Sequence, residues 1–399
     1  MHKGILVVFI LSFSLVKAQQ ITLSPQALIS VITCGPGQEE LYTAFGHSAI
    51  RVFDPVNNID NAYNYGVFDF DQPNFYLNYT RGLLLFKLGV YTYPDFVDIY
   101  RYYNRWVTEQ ELNLSASQKQ AVFDFLEWNA LPENQTYRYD YFYNNCANKV
   151  RDVFATVLGD SIRFDDAHIT TTYTIRQLTD LYLKDQPWGD LGIDICLGLP
   201  MDKRASPYEY MFLPDYVLKA FDNATITHGG SPEALVSHKY NVSMSFEEDP
   251  PHAAVHPWVA LGSFALLAVG LSLWDFRRKK ASAWFDVVLF TVVGLVGALL
   301  LVLWTATDHQ AASNNLNIIW ALPTHLMILG VFLSRARRIV KRYFLFAGLL
   351  MALLLMTWAF LPQQLNTFLI PFVAVLVIRA MVLSRFLTES VPLSRLKDG

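Results

Sequence analysis

The sequence predicts an α+β extracytoplasmic domain followed by an all-α bundle of five transmembrane helices. Three observations lead there. The N-terminus reads as an export signal, the first half carries strand-like and then helix-like patterns, and the second half is built of long apolar runs.

The signal reading rests on Lys3, an apolar core from Ile5 to Val16, and the small-residue pattern Val16-Lys17-Ala18 before Gln19. That core is short for a bilayer crossing, although an uncleaved N-terminal anchor is the competing reading. No cysteine follows the cleavage position, so the chain itself is not expected to be lipidated there. The expected divisions are a signal peptide at 1–18, an exported domain at 19–249, a linker at 250–257, five spans within 258–387 and a cytoplasmic tail at 388–399.

Within the exported part, Ala27–Thr33, His47–Asp54, Ala62–Phe70 and Leu83–Thr92 are rich in β-branched and aromatic residues and read as strands. Pro55 to Asn61 reads as a hairpin turn. Helical periodicity follows at Pro94–Trp106 and at Ser115–Asn129, where Ser115 and Gln118 have capping-box spacing. Further helices are expected from Cys146 to Gly159, at Tyr173–Lys184 and at Tyr208–Phe221. Thr225–Pro257 reads as a loop-rich linker into the membrane.

The five apolar segments lie near Trp258–Trp274, Trp284–Trp304, Ile318–Ser334, Tyr343–Leu361 and Phe368–Leu387. Each has about the length that a hydrocarbon core of roughly 30 Å requires. Arg277, Arg278, Lys279 and Lys280 follow the first span, and Arg335, Arg337, Arg338, Lys341 and Arg342 follow the third. The alternate loops, around Asp308-His309 and Pro362-Gln363-Gln364, carry no lysine or arginine. The basic loops therefore belong in the cytoplasm, as does the C-terminus with Arg395 and Lys397. A formal net charge of −4 with no basic stripe in the exported half excludes a nucleic-acid partner.

Chemistry concentrates in two patterns. One is Phe45-Gly46-His47-Ser48-Ala49, a histidine opening a strand after a glycine turn. The other is Tyr143-Asn144-Asn145-Cys146-Ala147-Asn148, a cysteine opening a helix. A thiol at a helix N-terminus has its pKa lowered by the aligned backbone dipoles, and an imidazole can hold the resulting thiolate as an ion pair. Both residues also have ordinary structural uses, the cysteine as a small buried apolar group and the histidine as a strand residue. Three cysteines occur, Cys34, Cys146 and Cys196, and an odd number in an exported chain asks which thiol stays free. If Cys34 and Cys196 pair, Cys146 is the one left. No HxxxH or CxxC spacing points to a metal, and no cofactor is expected.

The order of these motifs, Gly-His at a strand start and later Asn-Cys at a helix start, resembles the circularly permuted NlpC/papain-like superfamily, which includes the lecithin:retinol-acyltransferase-like enzymes. A closer likeness comes from Thr33-Cys34-Gly35-Pro36-Gly37, Phe45-Gly46-His47-Ser48-Ala49, Tyr63-Asn64-Tyr65-Gly66 and Tyr141-Phe142-Tyr143-Asn144-Asn145-Cys146. In the membrane half it extends through Thr307-Asp308-His309, Asn315-Leu316-Asn317 and Trp320-Ala321-Leu322-Pro323-Thr324-His325. Taken together these motifs resemble the Lnb family of bacterial lipoprotein N-acyltransferases, over most of the chain after the signal.

The resemblance implies Cys146 as nucleophile and His47 as general base. A third, orienting residue is expected on the strand after the histidine, where Asn64, Asp69 and Tyr65 are candidates. If the hairpin turns near Asn57–Asn58, alternation puts Asn64 on the face of His47, and a one-residue bulge would reverse that. Asp308, His309, Asn314, Asn315 and Asn317 fall in the outward loop between spans two and three. They form either a hydrated loop or a ledge that binds substrate or lipid headgroup. His325, about two turns into the third span, and Arg379, inside the fifth, are ionisable groups at membrane depth that should face a cavity or a partner, or in the case of Arg379 snorkel.

The implied function moves an acyl chain from a phospholipid donor, through a Cys146 thioester, to the α-amine of a diacylglyceryl-cysteine lipoprotein at the bacterial inner membrane. Two other classes are an NlpC-type cysteine peptidase acting on peptidoglycan and a non-catalytic membrane sensor or scaffold.

Overall fold

The computed structural model of the protein describes residues 21–68, 71–246, 253–332 and 337–387. The expected signal peptide, Asp69, Ser334, Arg335, part of the 250–257 linker and the tail at 388–399 lie outside them.

A seven-stranded antiparallel sheet organises the first half. Its strands are β1 (Leu28–Cys34), β2 (His47–Asp54), β3 (Ile59–Val67), β4 (Leu84–Thr92), β5 (Val107–Leu112), β6 (Thr136–Tyr139) and β10 (Val236–Ser243). They run in the order β10-β5-β1-β2-β3-β4-β6. Three two-residue strands, β7 (Ile162–Arg163), β8 (Thr225–Ile226) and β9 (Glu233–Ala234), make a small second sheet. The β2–β3 hairpin closes Asp54 onto Ile59, with Asn58 in the left-handed region that asparagine tolerates.

Helices pack on both faces. Short α1 (Phe75–Thr80) links β3 to β4, and α2 (Tyr93–Tyr102) covers one face through Phe96, Val97 and Tyr100 against Ile32, Ala49 and Ala62. The other face buries Ile29, Val31, Ile50 and Val52 against α3 (Ala116–Ala130), α4 (Cys146–Leu158) and α8 (Pro214–Asn223). Ser115 and Gln118 form the reciprocal cap read from their spacing. Beyond this core, α5 (Ile175–Leu183), α6 (Pro187–Cys196) and α7 (Pro207–Tyr210) lead toward the membrane half.

Three expectations are corrected here. The helix foreseen to Trp106 ends at Tyr102, because Asn104 turns left-handed and the chain enters β5. The helix foreseen at Tyr208–Phe221 breaks into α7 and α8 at Pro214, which cannot donate to the preceding turn. The stretch foreseen as a linker from Thr225 supplies β8, β9 and β10, and β10 forms the outer strand of the main sheet on β5.

Among the described residues, the membrane half holds four helices long and apolar enough to cross a bilayer: α9 (Pro257–Arg278), α10 (Ala283–Thr305), α11 (Arg337–Thr357) and α12 (Ile370–Phe386). The expected third span is a shorter apolar segment, tight 3₁₀ turns at Leu316–Ile319 and Pro323–Phe332. A 3₁₀ helix rises about 2.0 Å per residue against about 1.5 Å for an α-helix, so a shorter run covers a comparable depth. This segment lies directly on α10. A β-carbon on Gly297 would overlap the Ala321 carbonyl oxygen, and one on Gly294 would meet Leu326 at 3.0 Å. Only glycine admits backbones that close.

Arg379 does not snorkel. It is fully buried on α12, donating from Nε to Asp286 Oδ1 of α10 at 2.6 Å and from Nη2 to Asp275 Oδ2 of α9 at 2.9 Å, with Ser272 Oγ at 3.2 Å from Nη1. One guanidinium thus ties three spans together.

Candidate active site

The Asn-Cys motif is a helix cap. Asn145 sits in extended backbone and accepts from the Asn148 N–H through Oδ1 at 3.0 Å, while Asn148 Oδ1 accepts from the Asn145 N–H at 3.0 Å. The Asn145 amide also donates to the Tyr141 and Phe212 carbonyls at 2.9 and 2.8 Å. With its cap held on three sides, α4 begins at Cys146, and the thiol takes the first helical position.

His47 opens β2 directly after Gly46. A β-carbon at Gly46 would lie 2.8 Å from the Cys34 carbonyl oxygen, and its φ of +77° is one that side-chain-bearing residues rarely adopt, so only glycine fits there. The imidazole packs against the neighbouring rings of Phe96 and Tyr100 of α2, centroids 6.4 and 6.2 Å away. Asn64 Oδ1 accepts from Nε2 at 2.5 Å, so Nδ1 is the ring nitrogen left for the thiol. The hairpin register puts Asn64 on the face that alternation gave it. A bulge follows beyond Asn64, where Gly66 has φ +93° and a β-carbon would lie 3.6 Å from the Cys146 β-carbon and 3.9 Å from His47 Cε1. Tyr65, the weaker candidate, instead points into the core and donates to Asn129 Oδ1.

Electrostatics couple the pair. Burial pushes the Cys146 thiol up, but the charge and hydrogen bond of His47, with the backbone N–H groups of Ser48 and Ala147, outweigh it and hold the thiol below its ordinary value. Burial works against a charged His47, yet Cys146 and then Asn64 raise it above the ordinary histidine value. Both directions favour a thiolate–imidazolium pair. Tyr137 and Tyr139 of β6 lie within electrostatic reach of Cys146, and burial keeps both phenols protonated.

Cys34 pairs in register with His47 across β1 and β2 and is buried, its thiol pushed up by desolvation. All three cysteines are free. Cys196 ends α6 on the membrane side, so the Cys34–Cys196 pairing is replaced by two thiols in separate places.

The outward loop divides in two. Asp308 and His309 lie against the exported domain: Asp308 Oδ2 pairs with Arg138 Nη2 at 3.1 Å, its N–H donates to the Arg81 carbonyl at 2.9 Å, and a cavity of about 530 Å³ opens between Arg138, Tyr143, Trp304 and His309. Asn315 and Asn317 are buried and work as clamps. Their amides donate to the Ile195 and Asp194 carbonyls at 2.8 and 3.1 Å, closing the end of α6, and Gln363 Nε2 donates to Leu197 O at 2.9 Å. His325 is enclosed in the bundle between the Trp320 carbonyl and the Tyr343 hydroxyl, at 3.1 and 2.9 Å. The structure thus brings His47, Asn64 and Cys146 together and leaves Asn315, Asn317 and His325 apart from them.

Sequence reasoning missed the polar centre of the interface between the halves. Buried Arg176 is held by Asp194 at 2.6 Å and Asp202 at 3.1 Å, and Asn366 and Gln364 of the last outward loop bond to Asp190, Asp194 and Asp202. Carboxylate oxygens of Asp180, Asp190 and Asp194 lie within 4.8 Å of one another beside a cavity of about 660 Å³. Isolated polar residues of this kind carry no local pattern.

No curated protein and no solved structure matches the chain. Two family descriptions do. The Lnb N-terminal periplasmic domain matches residues 16–180 and the Lnb transmembrane domain matches residues 249–390. With its periplasmic domain and its membrane bundle both matched, the chain belongs to the Lnb family.

Proposed function

We propose that the protein is a lipoprotein N-acyltransferase working through a cysteine thioester. The observation that supports this best is the buried Cys146–His47 pair, polarised toward thiolate and imidazolium, in a periplasmic domain clamped onto the outward loops of a membrane bundle.

In the first half-reaction, the Cys146 thiolate adds to the acyl ester carbonyl of a phospholipid. The C–O bond then breaks, the lysophospholipid alkoxide takes the proton of His47, and the acyl group remains as a thioester. In the second, the α-amine of a diacylglyceryl-cysteine lipoprotein attacks that thioester. His47 accepts the amine proton as the thiolate leaves, and an amide forms. Asn64 holds the imidazole so that Nδ1 addresses the sulfur in both halves. The backbone N–H groups of Ser48 and Ala147 and the phenols of Tyr137 and Tyr139 are the donors available to developing negative charge. Asp308 and His309 are positioned to meet a donor headgroup, while Asn315, Asn317 and His325 act by holding the scaffold. On a five-segment path with basic loops inside, the C-terminus is cytoplasmic and both lipid substrates lie on the side of Cys146.

The test is mass spectrometry of lipoprotein N-termini from cells lacking a native N-acylating enzyme. A third acyl chain should appear with the wild type and be absent with Cys146→Ser or His47→Ala at equal expression. Diacylated lipoproteins with the wild type would sink the proposal and make stem-peptide cleavage the next assay.

A further inference from the structure

One element beside the candidate active site has an apolar surface that the protein leaves open. Helix α1 has the sequence Phe-Tyr-Leu-Asn-Tyr-Thr, and none of its residues is buried. Tyr76 is 77% exposed, Leu77 56% and Tyr79 45%. Three large apolar side chains on so short an element are more than the scattered exposure of a water-facing surface.

The depth of this element is fixed by its neighbours. The Arg81 carbonyl, directly after α1, accepts from the backbone N–H of Asp308. Gly82, at φ +77°, lies so close that a β-carbon would touch the backbone of Asp308 and His309 at 3.0 Å. Asp308 comes just past Thr305, where α10 leaves the membrane on the periplasmic side, with Trp304 exposed at its end. So α1 is held level with the outer limit of the hydrocarbon layer. Tyrosine is well suited to that level, its ring in the acyl boundary and its hydroxyl in the headgroups. The Tyr79 hydroxyl turns back to the Tyr141 hydroxyl at 2.8 Å, two residues beyond Tyr139, whose phenol interacts electrostatically with Cys146.

We propose that α1 lies in the interfacial layer of the outer leaflet, with Tyr76 and Leu77 in contact with lipid, and forms a lipid-contacting rim between the bilayer and Cys146. Strand β3 passes the active site at Gly66 immediately before the chain turns toward α1, and β4 returns from it. A lipid leaving the leaflet beside α1 therefore meets the mouth of the site first. The contact follows from the membrane placement and does not depend on the acyl-transfer reading; only the second arm below, which reads acylation of Cys146, rests on it.

The experiment places the photoreactive residue p-benzoylphenylalanine at Tyr76 of the full chain, in vesicles of phosphatidylethanolamine and phosphatidylglycerol. The control position is Tyr240 on β10, at the far edge of the sheet. Irradiation should give a lipid adduct at position 76, seen by mass spectrometry, and none at position 240. No lipid adduct at 76, or a protein adduct in its place, overturns the proposal. In a second arm, Tyr76→Ser/Leu77→Ser/Tyr79→Ser should slow acylation of Cys146 from vesicle lipid while leaving its alkylation by soluble iodoacetamide unchanged. Equal loss of both would mean that α1 only supports the fold, and would also overturn it.

Discussion

At the scale of single residues, the thiol's environment makes two predictions. Because His47 and the backbone donors lower Cys146 while Cys146 raises His47, thiolate should persist below the ordinary thiol range and imidazolium above the ordinary histidine range. Iodoacetamide labelling of Cys146 against pH should titrate below the range of a free thiol, and His47→Ala should move that titration upward. An unmoved profile would show that the two groups are not coupled. Asn64→Ala frees Nε2 and lets the ring turn, so kcat should fall by about 10²-fold with KM little changed. A change in KM alone would make Asn64 a binding residue. These three side chains are legible because each sits in a short pattern with a physical reason: a glycine turn, a helix start, a two-residue alternation. The reason survived because the bulge falls beyond Asn64, at Gly66. Asn145 was read only as the neighbour of the cysteine, yet it sets where the helix starts.

At the scale of elements, apolar patterns were readable and polar ones were not. The strands β1 to β4 follow β-branched and aromatic runs, whereas β5 is Val-Thr-Glu-Gln-Glu-Leu and β10 is Val-Ser-His-Lys-Tyr-Asn-Val-Ser. The polar residues of β5 find partners at long range, Glu109 accepting from Arg51 and Tyr93 and Gln110 donating through Nε2 to Asp222, which no local window contains. The 3₁₀ segment against α10 was read as an ordinary span for a related reason. Composition reports depth, but the winding is set by how closely the neighbouring backbone approaches. Gly297→Val tests this. With the added carbon overlapping Ala321 O, the segment must shift, and overpacking of this kind costs about 1–3 kcal/mol or more. The thermal midpoint in detergent should fall, whereas Gly262→Val, which meets open space on α9, should change little. Equal behaviour would mean that the two segments do not pack this tightly.

At the scale of the whole molecule, the two halves are joined by polar groups, and that joint should respond to pH. Arg176 sits among Asp194, Asp202 and, farther off, Asp180 and Asp190, while the loop at 363–366 bonds to the same carboxylates. Burial, followed by the charges of Asp194 and Asp190, pushes Asp180 up to about 8, and burial with Asp194 pushes Asp190 up to about 6. A carboxyl whose folded pKa lies above its unfolded value binds more protons when folded. Its contribution to stability is complete below the ordinary carboxylate range and is lost as pH rises through the folded value. The joint should therefore loosen between about pH 4 and pH 8, with Asp190 ionising first and Asp180 last. Hydrogen exchange of the last turn of α6, whose carbonyls are closed by Asn315, Asn317 and Gln363, reports this directly once corrected for intrinsic rates. Protection there should fall from about pH 6 to about pH 8.5 in the wild type and change less in Asp180→Asn, while the core of α4 stays protected throughout. If protection rises with pH, or the variant behaves as the wild type does, the carboxylates are not what sets the strength of the joint.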